Sequence, residues 1–231
     1  MKLQRQLRRI PNEFTSIIYI FAISRVLFYL TAILLTKLHR IPFNPKTFCH
    51  FDCYWYLSIA NEGYADASKA KSISNLVFFP LEPLMMRAIA NFAKIDIVLV
   101  AALMGNLFVL GGLLFLGAYL RKSHSKKVIY STAFLISFSP VNVYLTSFYT
   151  EALYFLLISG IIYFATERRW IVTGCLVSLI SVTRVPGIFI LFLLFYIYFS
   201  QKSDQRTRKE LKNFIICLIL APLALIGFMI F

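Results

Sequence analysis

The chain is short of acid. Only 10 of its 231 residues are Asp or Glu, against 24 Lys and Arg, and charged residues of both signs make up 15%. A soluble domain carries about a quarter charged residues and is about half apolar. This chain is 59% apolar, with a mean hydropathy of +0.74. Its composition excludes an ordinary soluble fold and predicts one transmembrane domain over 1–231, with no soluble domain. Alternating ten-residue segments, the mark of a membrane barrel, are missing, so helices must do the spanning. No HExxH, P-loop or GxGxxG occurs, and zinc-protease, ATPase and dinucleotide readings have no support. The first apolar run lacks a small-residue cleavage site and exceeds a signal-peptide core; it is expected to stay as a span.

What is present is apolar length punctuated by base. "FTSIIYIFAISRVLFYLTAILLT" and "VLVAALMGNLFVLGGLLFLGAYL" are long enough to cross about 30 Å of hydrocarbon as helices. The net charge of +14 does not point to nucleic acid, because the basic residues punctuate the apolar runs and form no single face. They read as topology signals and as contacts with anionic membrane lipid. Clusters at 2–9, 121–127, 167–169 and 201–212 hold fifteen of the 24 Lys and Arg. Placing all four on the cytoplasmic side predicts seven spans at 14–36, 96–120, 128–146, 149–166, 170–183, 186–200 and 213–231. The stretch 75–92 is then re-entrant or interfacial, as Pro80, Glu82, Pro83 and Arg87 suggest. Asp52, Glu82, Glu151 and Arg184 all fall at the outer face.

Four cysteines do not make a disulfide framework, and Cys175 and Cys217 read as small packed residues within apolar runs. Cys49, His50, Asp52 and Cys53 fit no zinc spacing, so neither a metal nor a cofactor is expected.

The stretch "HFDCYWYLSIANEGY" (50–64) predicts a short interfacial helix from Asp52 to Glu62. Phe51, Trp55 and Ile59 form its apolar stripe, and Gly63 stops it. Asp52 then stands at the N-terminus, as a cap for open backbone N–H groups or as a carboxylate able to take a proton. Tyr149 and Glu151 lie at the next outer turn, where Ser147 or Thr150 would cap and Glu151 would favour the helix dipole. Arg184, in "SVTRVPG" (181–187), interrupts an apolar run where positive charge is scarce, and should hold an anion. Arg25 sits near the middle of the first span and should face the bundle interior, paired with an acid or with helix carbonyls.

"FDCYWYLSIANEGY" followed by "FFPLEPLM" resembles the pattern W-D-x-x-W/H-Y/F-L-x-I-A-x-x-G-Y…F-F-P-L-Y-P of the PIG-V family of GPI mannosyltransferases, which includes bacterial relatives. "SR" (24–25), "SP" (139–140), "YTEALY" (149–154) and "TRVPG" (183–187, family T-R-S-N-G) match in order, over about residues 14–190. Phe51 replaces a Trp, Glu82 an aromatic, and Val185–Pro186 a Ser–Asn.

The resemblance implies the C-type membrane glycosyltransferase fold: an all-α, polytopic helical bundle. It implies transfer of mannose from a polyprenyl- or dolichyl-phosphate donor to an acceptor on the outer or lumenal side. Asp52 would be the catalytic base, and Arg184 with Arg87 would bind the donor phosphate. Tyr56, Glu82, Tyr149, Glu151 and Arg25 would support them, with no metal. Family members are longer, so the chain is expected to be the N-terminal part of a longer domain, a short variant, or one part of a split enzyme with a partner subunit. Trp55–Tyr56–Leu57 and Leu81 lie closer to the bacterial branch, favouring a bacterial inner membrane over the endoplasmic reticulum. The short chain and Phe51 also fit a non-catalytic, lipid-binding relative. A small transporter ranks last, because no paired half-length repeats occur.

Overall fold

The computed structural model describes residues 11–40, 49–65, 75–146, 148–200 and 207–230. The basic cluster 2–9, residues 201–206 of the cluster 201–212, and Ser147 lie outside the described residues. Among those described the chain is all-helical, with no strand.

Helix α1 (Asn12–Leu38) is 27 residues, about 40 Å. It buries only Ile17, Phe21, Ser24 and Arg25, and leaves Ile23, Val26, Leu30 and Leu34 exposed. A helix apolar all round with so narrow a buried row suits an apolar solvent. Helix α4 (Ile97–Leu120) runs antiparallel to it. Ile17 reaches Gly117 at one end, and the Asn106 amide donates to the Tyr29 hydroxyl at 2.8 Å nearer the other. Beside α1 lies α5 (Lys126–Ser137), tied by Lys126–Glu13 at 3.1 Å. Helix α7 (Glu151–Thr166) packs along α4, and Lys122–Glu167 at 2.5 Å joins their ends. The rest of the chain builds a second core around α8 (Trp170–Ser181), α9 (Ile190–Ser200) and α10 (Arg208–Leu220). There Tyr198 and Phe214 stack at 4.1 Å, and the Trp170 indole donates to Glu210 at 2.9 Å.

These contacts give the bundle two unlike ends. One gathers the ends of α4 and α7 and the starts of α1, α5, α8 and α10, together with the basic residues of 121–127 and 167–169. The other carries α2 (Cys53–Glu62) and α3 (Leu81–Ala93). Because α1 and α4 are antiparallel, α2 and α3 connect them at that end and complete no traverse of the bundle. Helix α3 is 13 residues, about 20 Å, and is docked by a backbone bond from Leu81 N–H to the Val182 carbonyl at 3.3 Å.

Three helices are long and apolar enough to cross a membrane: Asn12–Leu38, Ile97–Leu120 and Arg208–Ile230, the last joining α10 to α11 (Leu223–Ile230). The segments Glu151–Thr166, Trp170–Ser181 and Val185–Ser200 are apolar but shorter. The single span expected over 128–146 is instead two helices, α5 and the short α6 (Asn142–Thr146). Ser139–Pro140 breaks it, since Pro140 cannot donate and disfavours helix in the residue before it. The freed Ser137 carbonyl is taken by the Asn142 amide at 2.6 Å.

Three smaller expectations are corrected. The buried face of α2 is Cys53, Tyr56, Ile59 and Ala60; Phe51 is 78% exposed, and Trp55 half-buried against Phe78. Cys175 is exposed, because α8 turns Thr173, Gly174, Val177 and Ser181 inward, while Cys217 is packed as expected. Cys49 and Cys53 form a disulfide, which their spacing alone had not suggested.

Candidate functional site

The second end of the bundle brings four elements together. The first is the turn before α2. Cys49 and Cys53 are bridged across it with Cα atoms 5.3 Å apart, and Phe51 between them takes a left-handed conformation, φ 50°. A bulky residue rarely sits there, and the bridge and the following helix hold it. The next residue, Asp52, occupies the N-cap position of α2 but makes no side-chain capping bond. Its backbone is already helical, φ −64° and ψ −21°, which turns the carboxylate away from the open N–H groups. The capping role expected for Asp52 is therefore not filled, and its side chain is exposed. At the other end of α2 Gly63 supplies the stop at φ 90°.

The second element is the start of α7. The Tyr149 hydroxyl donates to the His50 carbonyl at 2.6 Å, fixing the disulfide turn to α7. Thr150 holds the N-cap position, again without a side-chain bond. Glu151, in the first turn, directs its carboxylate to Arg184, and the two form an ion pair with side chains about one-third exposed.

The third is the break after α8. Arg184 is extended, φ −156° and ψ 151°, and a 3₁₀ turn, Val185–Phe189, follows it. Gly187 packs against the Ile180 carbonyl so closely that a Cβ would have no room. Pro186 fixes the backbone at the turn's start. The Arg184 guanidinium is pushed above its ordinary value: burial works against this, and the Glu151 hydrogen bond and the charges of Glu151, Tyr56 and Asp52 prevail.

The fourth is the first turn of α3. Glu82 is 1% exposed, and neither carboxyl oxygen has a hydrogen-bond partner. Burial pushes this carboxyl well above the carboxylate range; Glu151 adds to the shift and Arg184 opposes it. Tyr56, buried on α2, lies within the fields of Glu82, Glu151 and Arg184, and its phenol too is raised, chiefly by burial.

Asp52, Tyr56, Glu82, Tyr149, Glu151 and Arg184 are therefore one electrostatically coupled group. Two residues expected to join it do not. Arg87 donates to the Asn61 carbonyl at 3.0 Å, at the far end of α2, in a polar cleft of about 510 Å³ with Asn91, Lys94 and Asp96. Arg25 is bound instead to Ser24, Ser137 and Thr146 between α1 and the α5–α6 corner. Of the two expected kinds of partner, an acid or a helix carbonyl, it takes the carbonyl, that of Ser137 at the end of α5, with two hydroxyls beside it. The disulfide turn is what sequence reasoning missed at this site; the i, i+4 placement of Cys49 and Cys53 beside a helix start was its one signal.

Comparison with protein-family models, with curated proteins and with solved structures finds no match to the chain.

Proposed function

We propose that the chain is a membrane glycosyltransferase that moves mannose from a polyprenyl- or dolichyl-phosphate donor to an acceptor hydroxyl. The observation that carries this reading is an exposed, uncapped carboxylate, Asp52, whose charge is felt at the half-exposed Arg184 guanidinium that Glu151 holds. The ordered motifs from "SR" to "TRVPG" support it from the sequence side.

In this reading Asp52 takes the proton of the acceptor hydroxyl as its oxygen bonds to the anomeric carbon. The bond from that carbon to the phosphate oxygen breaks, and the electron pair leaves with the lipid phosphate. Arg184 offsets the charge growing on that phosphate. Glu151 neutralises Arg184 in the structure, so the phosphate must displace it. The exchange costs little, because a pair about one-third exposed is worth about 1 kcal/mol or less. Glu82 lies beside this pair, its carboxyl raised by burial and by Glu151 and lowered by Arg184.

The fold in this reading is a C-type glycosyltransferase bundle with seven crossings: α1, α4, α5–α6, α7, α8, the segment 185–200, and α10–α11. The basic end faces the cytoplasm and the Asp52 end the outer side of a bacterial inner membrane, where a Cys49–Cys53 bridge persists. A second reading, a lipid-binding relative without activity, draws on the same ion pair, since Glu151 already satisfies Arg184.

The test is lipid-linked mannose turnover in membranes holding the full chain. Asp52→Asn keeps shape but takes no proton, and should lower turnover by roughly a hundredfold or more with insertion unchanged. Undiminished turnover removes the catalytic role of Asp52; no turnover by the wild-type chain moves the assignment to the second reading.

A further inference from the structure

The basic end of the bundle carries a groove that takes no part in the Asp52–Arg184 group. It opens between α1, α4 and α7, with a volume of about 430 Å³. Its lining is apolar: Phe14 and Ile18 on α1, Gly111, Phe115 and Ala118 on α4, and Tyr163 on α7. All six are at least partly exposed, so the groove faces outward from the bundle. Gly111 and Ala118, at i and i+7, share one face of α4 and leave it without bulk. The Phe115 and Tyr163 rings, 5.8 Å apart, bound it toward α7.

Two cations stand at its end. Arg121, the residue after α4, is exposed and lies over the Phe14 ring at 5.4 Å. Lys122 lies over the Tyr163 ring at 4.9 Å. Lys122 is already committed, to Glu167 at 2.5 Å and to the Thr166 hydroxyl at 3.2 Å. Glu13, whose carboxylate also feels Arg121, is held by Lys126 at 3.1 Å. With both acids engaged, no side chain among the described residues gives Arg121 an ion pair or a hydrogen bond. Its guanidinium is fixed at the groove by the Phe14 ring, with its N–H donors open.

The depth of these parts identifies the occupant. From Arg121 back to Gly111, α4 descends about 15 Å, half of a hydrocarbon core about 30 Å thick. The cation is at the helix end and the apolar floor runs from there to the middle of α4. That is the direction and length of one lipid in one leaflet. A helix about 10 Å across would occupy about 1,200 Å³ over that distance, nearly three times the groove, so a hydrocarbon chain suits it better. We propose that the groove binds an anionic phospholipid of the leaflet at the basic end. Arg121 holds its phosphate, and one acyl chain lies over Ala118 and Gly111. A zwitterionic headgroup carries its own cation beside the phosphate and gains less from Arg121. The site rests on α1 and α4 crossing the membrane and does not rest on the transferase reading.

The probe is dioleoylphosphatidylglycerol, titrated onto the full chain and read by native mass spectrometry. Dioleoylphosphatidylcholine is the comparison for charge, and dihexanoylphosphatidylglycerol the comparison for chain length. The dioleoyl anionic lipid is expected to bind about fivefold more tightly than the first and at least about tenfold more tightly than the second. Arg121→Gln should remove the preference for the anionic headgroup, and Arg121→Lys should keep most of it. Arg208→Gln, which removes an equal charge at the start of α10, should leave it unchanged. Ala118→Phe, which fills the groove, should weaken both dioleoyl lipids at least about tenfold. A preference that survives Arg121→Gln, or that falls equally with Arg208→Gln, overturns the proposal, as does unaltered binding to Ala118→Phe. Equal binding of the dihexanoyl lipid overturns the part assigned to the chain.

Discussion

Arg25 and Arg184 solve opposite halves of one problem. At Arg25 the hydrogen-bonding directions are occupied and the charge is not answered: Ser24, Thr146 and the Ser137 carbonyl surround it in a nearly closed interior. At Arg184 the charge is answered, by Glu151, in a half-open position. A closed guanidinium with neutral partners holds helices together. An open one with a replaceable carboxylate can exchange that carboxylate for a ligand. The two should respond to mutation in opposite ways.

The largest contrast is expected from truncation. Arg184→Ala should lower mannose turnover by about a hundredfold, as loss of an electrostatic stabiliser does, while stability falls by less than about 1 kcal/mol. Arg25→Ala should do the reverse in stability, losing about 3 kcal/mol from a cavity and from unmade charged hydrogen bonds. Thermal unfolding in detergent should show this as a midpoint lowered by roughly 6–12 °C. Equal stability loss at both positions would erase the distinction. A finer cut comes from Arg184→Lys, which keeps the charge and loses the planar fork; donor use should weaken about tenfold.

Glu82 sharpens the comparison from the acidic side, being closed like Arg25 but unpartnered. Glu82→Leu should raise stability by about 1–2 kcal/mol, since an unsatisfied buried polar group is exchanged for an apolar one. The pH dependence has a fixed sign. The folded carboxyl is raised above its unfolded value of about 4.3, so stability is greatest below that value and falls as pH rises toward the folded one. Glu82→Gln should flatten that fall in pH-dependent unfolding curves. The smallest effect is expected from Glu151→Gln, with turnover within about threefold of wild type, because Arg184 keeps a hydrogen-bond partner and loses only a competitor for the phosphate.

Much of this arrangement could be read from sequence wherever a local rule governed. Gly63 ended α2, Val185–Pro186–Gly187 broke the helical run at Arg184, and Pro80, Glu82 and Pro83 marked a segment that does not traverse the bundle. What escaped depended on partners distant in sequence. Which face of α2 is buried was decided by α3 and the α7 start, which enclose Tyr56 and leave Phe51 out. Arg87 and Arg184 looked equivalent as cations, yet Arg87 is drawn to the carbonyl end of α2. Glu151 looked like a helix-dipole residue until Arg184, 33 positions on, was placed beside it.

The Cys49–Cys53 ring and the Tyr149 bond to His50 have a consequence for how this chain can vary. Together they moor the turn that carries Asp52 to the start of α7. A single change at Cys49, Cys53 or Tyr149 should therefore set the carboxylate adrift, as a buoy drifts from a cut mooring.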